Sequence, residues 1–121
     1  MPGSLTRVLV VEDDAALRVL LRDFLELLGY AVHLAANGRE ALEHLKQTRP
    51  DLILLDFMMP DMDGRTFGAA VRRDGRTMDL PIVLMSAVPE AAQVRGEIRA
   101  QALLCKPFDL DELARVVEQL G

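Results

Sequence analysis

The sequence predicts an α/β domain in which five strand–helix units build one parallel sheet covered by helices on both faces. Three observations predict it. Short unbroken apolar runs stand at 8–11, 52–55 and 82–85, too short for helices and apolar on both strand faces. Each run is followed by apolar residues at helical spacing. The residues directly after the runs, Glu12-Asp13, Asp56 and Ser86, are polar. Alternation of this kind means parallel strands joined by right-handed helical crossovers, a three-layer α/β/α sandwich.

The elements follow in order. Val8–Val11 is the first strand. Leu17, Leu20, Leu21, Phe24, Leu25 and Leu28 then recur at helical spacing, Asp14 caps that helix, and Gly29 suits the position just past its end. Tyr30–Ala35 reads as a second strand. The Asn37-Gly38 turn leads into a helix through Ala41, Leu42 and Leu45, closed by Pro50. Leu52–Leu55 is the central strand, ending at Asp56. After the Met59-Pro60 break and Gly64 a helix of about two turns passes Phe67, Ala70 and Val71 toward Asp74-Gly75. Ile82–Met85 is the fourth strand. Pro89 suits the first turn of a fourth helix with Ala91, Val94 and Ile98 on one face, weakened by the interior Gly96. Ala102–Cys105 is the last strand. Asp109 caps a final helix with Leu113, Val116, Val117 and Leu120 inward and Glu112 placed for a capping box.

Composition narrows the function classes. The chain has 121 residues, 50% hydrophobic and 27% charged, which suits one globular domain over residues 1–121, either stand-alone or cut from a longer protein. A net charge of -5 argues against nucleic-acid binding through this domain. The single cysteine, Cys105, cannot form an intrachain disulfide, and the first seven residues lack a signal peptide's apolar segment. No run is long enough to span a membrane, so a cytoplasmic location is expected.

In such a sandwich the strand ends meet at one edge, where ligands bind. Glu12, Asp13 and Asp56 therefore converge with Ser86 and Lys106, the last of which follows the fifth strand. A carboxylate on a buried strand is costly unless paired, and three together repel unless a cation sits among them. Oxygen ligands suit Mg²⁺, whereas zinc would want a Cys/His cluster that this sequence lacks. A carboxylate, a hard cation, a hydroxyl and a lysine together make a site for a phosphoryl group, with a carboxylate as the in-line nucleophile.

Over essentially its whole length the chain resembles a receiver domain of the two-component response regulators. The matching pieces are Val-Leu-Val-Val-Glu-Asp-Asp at 8–14, Leu-Leu-Asp-Phe-Met-Met-Pro-Asp-Met-Asp-Gly at 54–64, Met-Ser-Ala at 85–87 and Lys-Pro-Phe at 106–108. The resemblance implies a flavodoxin-like fold with strand order 2-1-3-4-5 and Asp56 as phosphoacceptor. Asp13 would ligate Mg²⁺ directly, Glu12 through water and Met58 through its backbone carbonyl. Ser86 would hold a phosphoryl oxygen, Lys106 would pair with Asp56 or its phosphate, and a cis peptide would precede Pro107. The donor would be a histidine kinase or phosphotransfer protein. The reader would be an unidentified output protein or domain at the fourth helix, fifth strand and fifth helix, with a homodimer through the fourth and fifth helices left open. Such a domain assists its own phosphorylation and dephosphorylation without turning over a separate substrate.

Two departures from the family pattern stand out. Leu103 occupies the place of the usual Tyr or Phe, so an aromatic rotamer switch is not available, and the segment from Ser86 to Lys106 is short. Met58 and Val88 stand where the family's side chains flank the attacking water, and neither can orient it, so slow hydrolysis of the acyl phosphate is expected. Leu103 favours one alternative, a receiver-like interaction module independent of phosphorylation; the intact polar set speaks against it. An aspartate-dependent phosphohydrolase would want a second acid where Met58 stands. A flavin site would need a phosphate cradle where Glu12-Asp13-Asp14 repel phosphate.

The remaining singled-out residues have plainer readings. Asp61 and Asp63 are turn formers. Cys105 reads as a small core residue, the six methionines as core filler except Met58 and Met59 at the site, and Arg72-Arg73 as a solvated helix end. His33 and His44 lack a partner at catalytic spacing and read as surface or strand-edge residues, ahead of a phosphohistidine role for His44.

Overall fold

A computed structural model describes residues 6–120; the first five residues of the segment read above for a leader lie outside them. The strands are β1 (Arg7–Val11), β2 (Ala31–Ala35), β3 (Leu52–Asp56), β4 (Ile82–Ser86) and β5 (Ala102–Cys105). They form one parallel sheet in the order β2-β1-β3-β4-β5. The helices are α1 (Ala15–Leu27), α2 (Gly38–Gln47), α3 (Gly64–Arg73), α4 (Ala91–Glu97) and α5 (Leu110–Leu120).

The apolar runs are two-sided because the central strands are covered on both faces. Val8, Val10, Leu52, Leu54, Val83 and Met85 pack with Leu21 and Leu25 of α1 and Leu113 and Val117 of α5. Their strand neighbours Leu9, Val11, Ile53, Leu55, Ile82 and Leu84 point the other way, onto α2, α3 and α4. The last residue of β3 is Asp56 itself.

Local chemistry sets the helix ends. The Asp14 carboxylate accepts from the amides of Ala16 and Leu17, and Gly29 has a φ of 102° just past α1, a conformation that glycine adopts without strain. Asn37 caps α2, with Glu40 reaching back to the amide of Ala36. Asp63 caps α3 and Asp109 caps α5, where the Glu112 amide donates to Asp109 Oδ1 at 2.8 Å. The third helix has ten residues, longer than its apolar spacing suggests, and α4 has seven, short as expected, with Gly96 in its last turn and not in its interior.

Three plain readings need correction. Cys105 is exposed, because β5 is a sheet edge and Cys105, paired with Ser86, ends it. Met78 is 44% exposed on the α3–β4 loop, so the methionines are not uniformly core. Arg72 is no solvated helix end. Its guanidinium donates to four backbone carbonyls, of Met78, Leu80, Ile98 and Arg99, at 2.7–3.0 Å, tying α3 to the turns before β4 and β5. Carbonyls that no regular element pairs still need donors, and a planar five-donor fork can serve several at once.

Candidate functional site

The polar residues that follow the strands meet at the carboxyl edge of the sheet. Oxygen atoms of Glu12, Asp13 and Asp56 lie within 4.8 Å of one another. Glu12 and Asp56 are buried, at 1% and 3% exposure, while Asp13 opens to solvent. The Lys106 ammonium joins the buried pair, 3.0 Å from Glu12 Oε1 and 3.2 Å from Asp56 Oδ1. β3 is flanked by β1 and β4, which brings the ends of three strands side by side.

Lysine alone does not neutralise the cluster. Burial, then the negative charge of Glu12, push the Asp56 carboxyl from its ordinary 3.8 to about 7, Lys106 opposes the rise, and a hydrogen bond with Asp13 adds to it. Burial by itself would lower the Lys106 pKa. The hydrogen bond to Glu12 and the charges of Asp56 and Glu12 outweigh it, so the net shift is upward. Two buried acids, a third open to solvent and one shared ammonium leave an excess of negative charge. Oxygen donors this close, one side of them open, fit a hard divalent cation.

The loops around this cluster are pinned from below. Arg18 on α1 donates to the backbone carbonyls of Glu12 and Asp13 at 2.8 and 3.3 Å, and the Asp14 amide donates to Glu12 Oε2. The sequence reading, tuned to the apolar face of α1, missed Arg18; a basic residue one turn into a helix that follows an acidic loop was the available signal. Gly64 closes the loop after Asp56: its amide donates to the Phe57 carbonyl, and a Cβ there would lie 2.9 Å from Phe57 Cα. Lys106–Pro107 is a cis peptide.

Ser86 is buried at the end of β4, and its hydroxyl oxygen accepts from the Val88 amide at 3.0 Å, which leaves its proton free to donate. Met58 is 58% exposed just past Asp56. Leu103 is half-buried against the α2–α4 side of the core, together with Val88. Asp61 is exposed and Asp63 is spent on its helix cap. An apolar groove of about 510 Å³ runs between Leu17, Leu20 and Leu21 of α1 and Phe108 and Leu110 beyond β5, and Lys106 lines it too.

The family model for the response regulator receiver domain matches residues 8–118. The chain belongs to this family. Among curated relatives, the receiver is 40% identical over 116 residues to the DNA-binding dual master transcriptional regulator RpaA of Synechocystis, covering 91% of this chain and 47% of that protein. It spans about half the length of the curated relatives it matches. Among solved structures, the chemotaxis protein CheY4 of Vibrio cholerae superposes with a TM-score of 0.91 at 32% identity, over 98% of this chain and 100% of that one. The response regulator TrrA of Thermotoga maritima, solved in complex with Mg²⁺ and BeF, superposes at 0.87 and 32% identity, over 97% of this receiver and 100% of that chain. The flavodoxin-like strand order expected from the resemblance is the observed one.

Proposed function

We propose that this receiver accepts a phosphoryl group on Asp56 from a histidine kinase or phosphotransfer protein. The observation that carries this reading is the buried Asp56 carboxylate, held at a strand end between Lys106 and two further acids. Lys106 holds Asp56 Oδ1, leaving the second oxygen to attack phosphorus in line. The bond from phosphorus to the donor's imidazole nitrogen breaks, and the nitrogen keeps the electron pair and takes a proton from solvent. The Ser86 hydroxyl and the Lys106 ammonium then hold oxygens of the acyl phosphate. Mg²⁺ held by Glu12, Asp13, Asp56 and the Met58 carbonyl would supply the positive charge that favours ionised Asp56 and neutralises the phosphoryl oxygens. Lys106 lies on the rim shared with the apolar groove, so a donor protein seated there brings its phosphoryl group to the acceptor.

The signal reaches α4, β5 and α5 through Ser86 and Lys106, for an output protein or an output domain elsewhere in a longer chain. The name of RpaA, a DNA-binding regulator, supports the second arrangement. Residues 1–121 are one receiver domain in the cytoplasm; among the described residues no helix is long and apolar enough to cross a membrane. As a signalling domain it acts on itself, not on a separate substrate.

Leu103 favours a second reading, an interaction module whose partner does not depend on phosphate. Amide NMR spectra with Mg²⁺ and beryllofluoride, a phosphoryl mimic, separate the two. The phospho-switch predicts shifts through Ser86–Ala91 and Leu103–Lys106, confined to the acceptor loop in Lys106→Ala. Spectra unchanged by the mimic leave the module reading. Turnover of the acyl phosphate follows from two apolar side chains, Met58 and Val88, which offer water no hydrogen bond. Met58→Asn or Val88→Glu should speed dephosphorylation several-fold, on the order of 1 kcal/mol of barrier; equal lifetimes in mutants and wild type would show that these positions do not set it.

A further inference from the structure

His33 and His44 meet across the packing of β2 on α2. His33, in register with Leu9, faces the α2 side of the sheet, and His44 lies in the last turn of α2. Their ring centroids are 4.9 Å apart with planes at 62°. His44 Nε2 is buried without a hydrogen-bond partner, the only side-chain nitrogen or oxygen in that position among the described residues. A buried orphan nitrogen calls for an explanation, and an ion is one.

Two imidazoles on one tetrahedral ion, with bonds of about 2.0–2.1 Å, hold their centroids roughly 5 Å apart. The two ring centroids stand at about that separation, on two different elements and in an edge-to-face contact, so a rotation of the side chains would aim both at one ion. We propose that His33 and His44 form a second metal site, for an imidazole-preferring divalent ion of the zinc class. Nitrogen ligands select Zn²⁺, Ni²⁺ or Cu²⁺, whereas the carboxylates at the strand ends select a hard ion, so the domain sorts two kinds of cation to two faces. Burial, His44 and Arg7 hold the His33 pKa below its ordinary value, which keeps that ring neutral and ready to bind at pH 7. Among the described residues, Glu12, Asp13 and Asp56 make the one cluster of three or more such side chains close enough to share an ion. The histidine pair therefore supplies two ligands, water completes the shell, and binding is reversible and responsive to ion concentration. A bound ion would staple the edge strand to its helix.

The test is a Zn²⁺ titration with Mg²⁺ in excess to occupy the carboxylate cluster and Cys105→Ser to remove the exposed thiol. Imidazole ¹⁵N resonances and the melting temperature are followed. Both histidines should shift together, with a rise in melting temperature. Both effects should weaken by roughly tenfold or more in apparent affinity in His33→Gln and in His44→Gln. Histidine resonances that do not move with Zn²⁺, or equal Zn²⁺ affinity in the wild type and both variants, overturn the proposal.

Discussion

Replacing Asp56 by Asn should make the Mg²⁺-free protein more stable at pH 8, against the usual direction for a buried substitution. The carboxyl titrates at about 7 in the fold and near 3.8 when unpaired, so ionising it costs folded protein free energy. Each unit of such a shift is worth about 1.4 kcal/mol, and Asn is the poorer partner for Lys106, which leaves a net gain on the order of 2 kcal/mol. The sign follows from proton binding. Between pH 3.8 and 7 the folded state keeps a proton that the unfolded state has released, so this contribution is full below the unfolded pKa and is lost as pH rises through the folded one. Wild type should therefore lose stability from pH 5 to pH 8 relative to Asp56→Asn, in urea melts with EDTA present. A variant no more stable than wild type at pH 8 would mean that the acids at the strand ends do not repel as their burial and spacing require.

A methyl group at Gly64 should disable the same site sterically. The added Cβ lies 2.9 Å from Phe57 Cα and 3.4 Å from the Asp56 carbonyl, both backbone, so no side-chain rotation relieves the contact. Gly64→Ala is expected to cost about 1–3 kcal/mol, the range for overpacking, and to slow phosphoryl labelling of Asp56 as the loop shifts. Gly96→Ala is the matched control. Nothing lies within 4 Å of a Cβ there, in the exposed last turn of α4, and the change should stabilise by up to about 0.5–1 kcal/mol, the range for a helix interior. Equal effects at the two glycines would show that the close approach at Gly64 is not a constraint.

The sequence reveals some elements of this fold more openly than others. The buried strands declare themselves because Leu52–Leu55 and Ile82–Met85 are covered on both faces, which leaves no polar residue in the run. The polar set at their ends was legible for the same reason, since a parallel sheet forces Glu12, Asp13, Asp56, Ser86 and Lys106 to one edge. Contacts between side chain and distant backbone were not legible. Arg72 serves carbonyls on the turn that follows its helix and on another far along the chain, and Arg18 serves the acidic loop behind it, yet arginines on helices ordinarily face solvent. Cys105 was misread because a short apolar run was taken as core, although the expected strand order 2-1-3-4-5 already puts β5 at the edge of the sheet. The histidine pair depends on how α2 packs against β2, which no spacing rule supplies.

Phosphoryl transfer to Asp56 is tested most directly by intact mass after incubation with acetyl phosphate, with and without Mg²⁺, run beside Asp56→Asn. A single phosphoryl adduct that requires both Mg²⁺ and Asp56 is expected. No adduct under conditions that label another receiver, or an adduct that persists in Asp56→Asn, would contradict it.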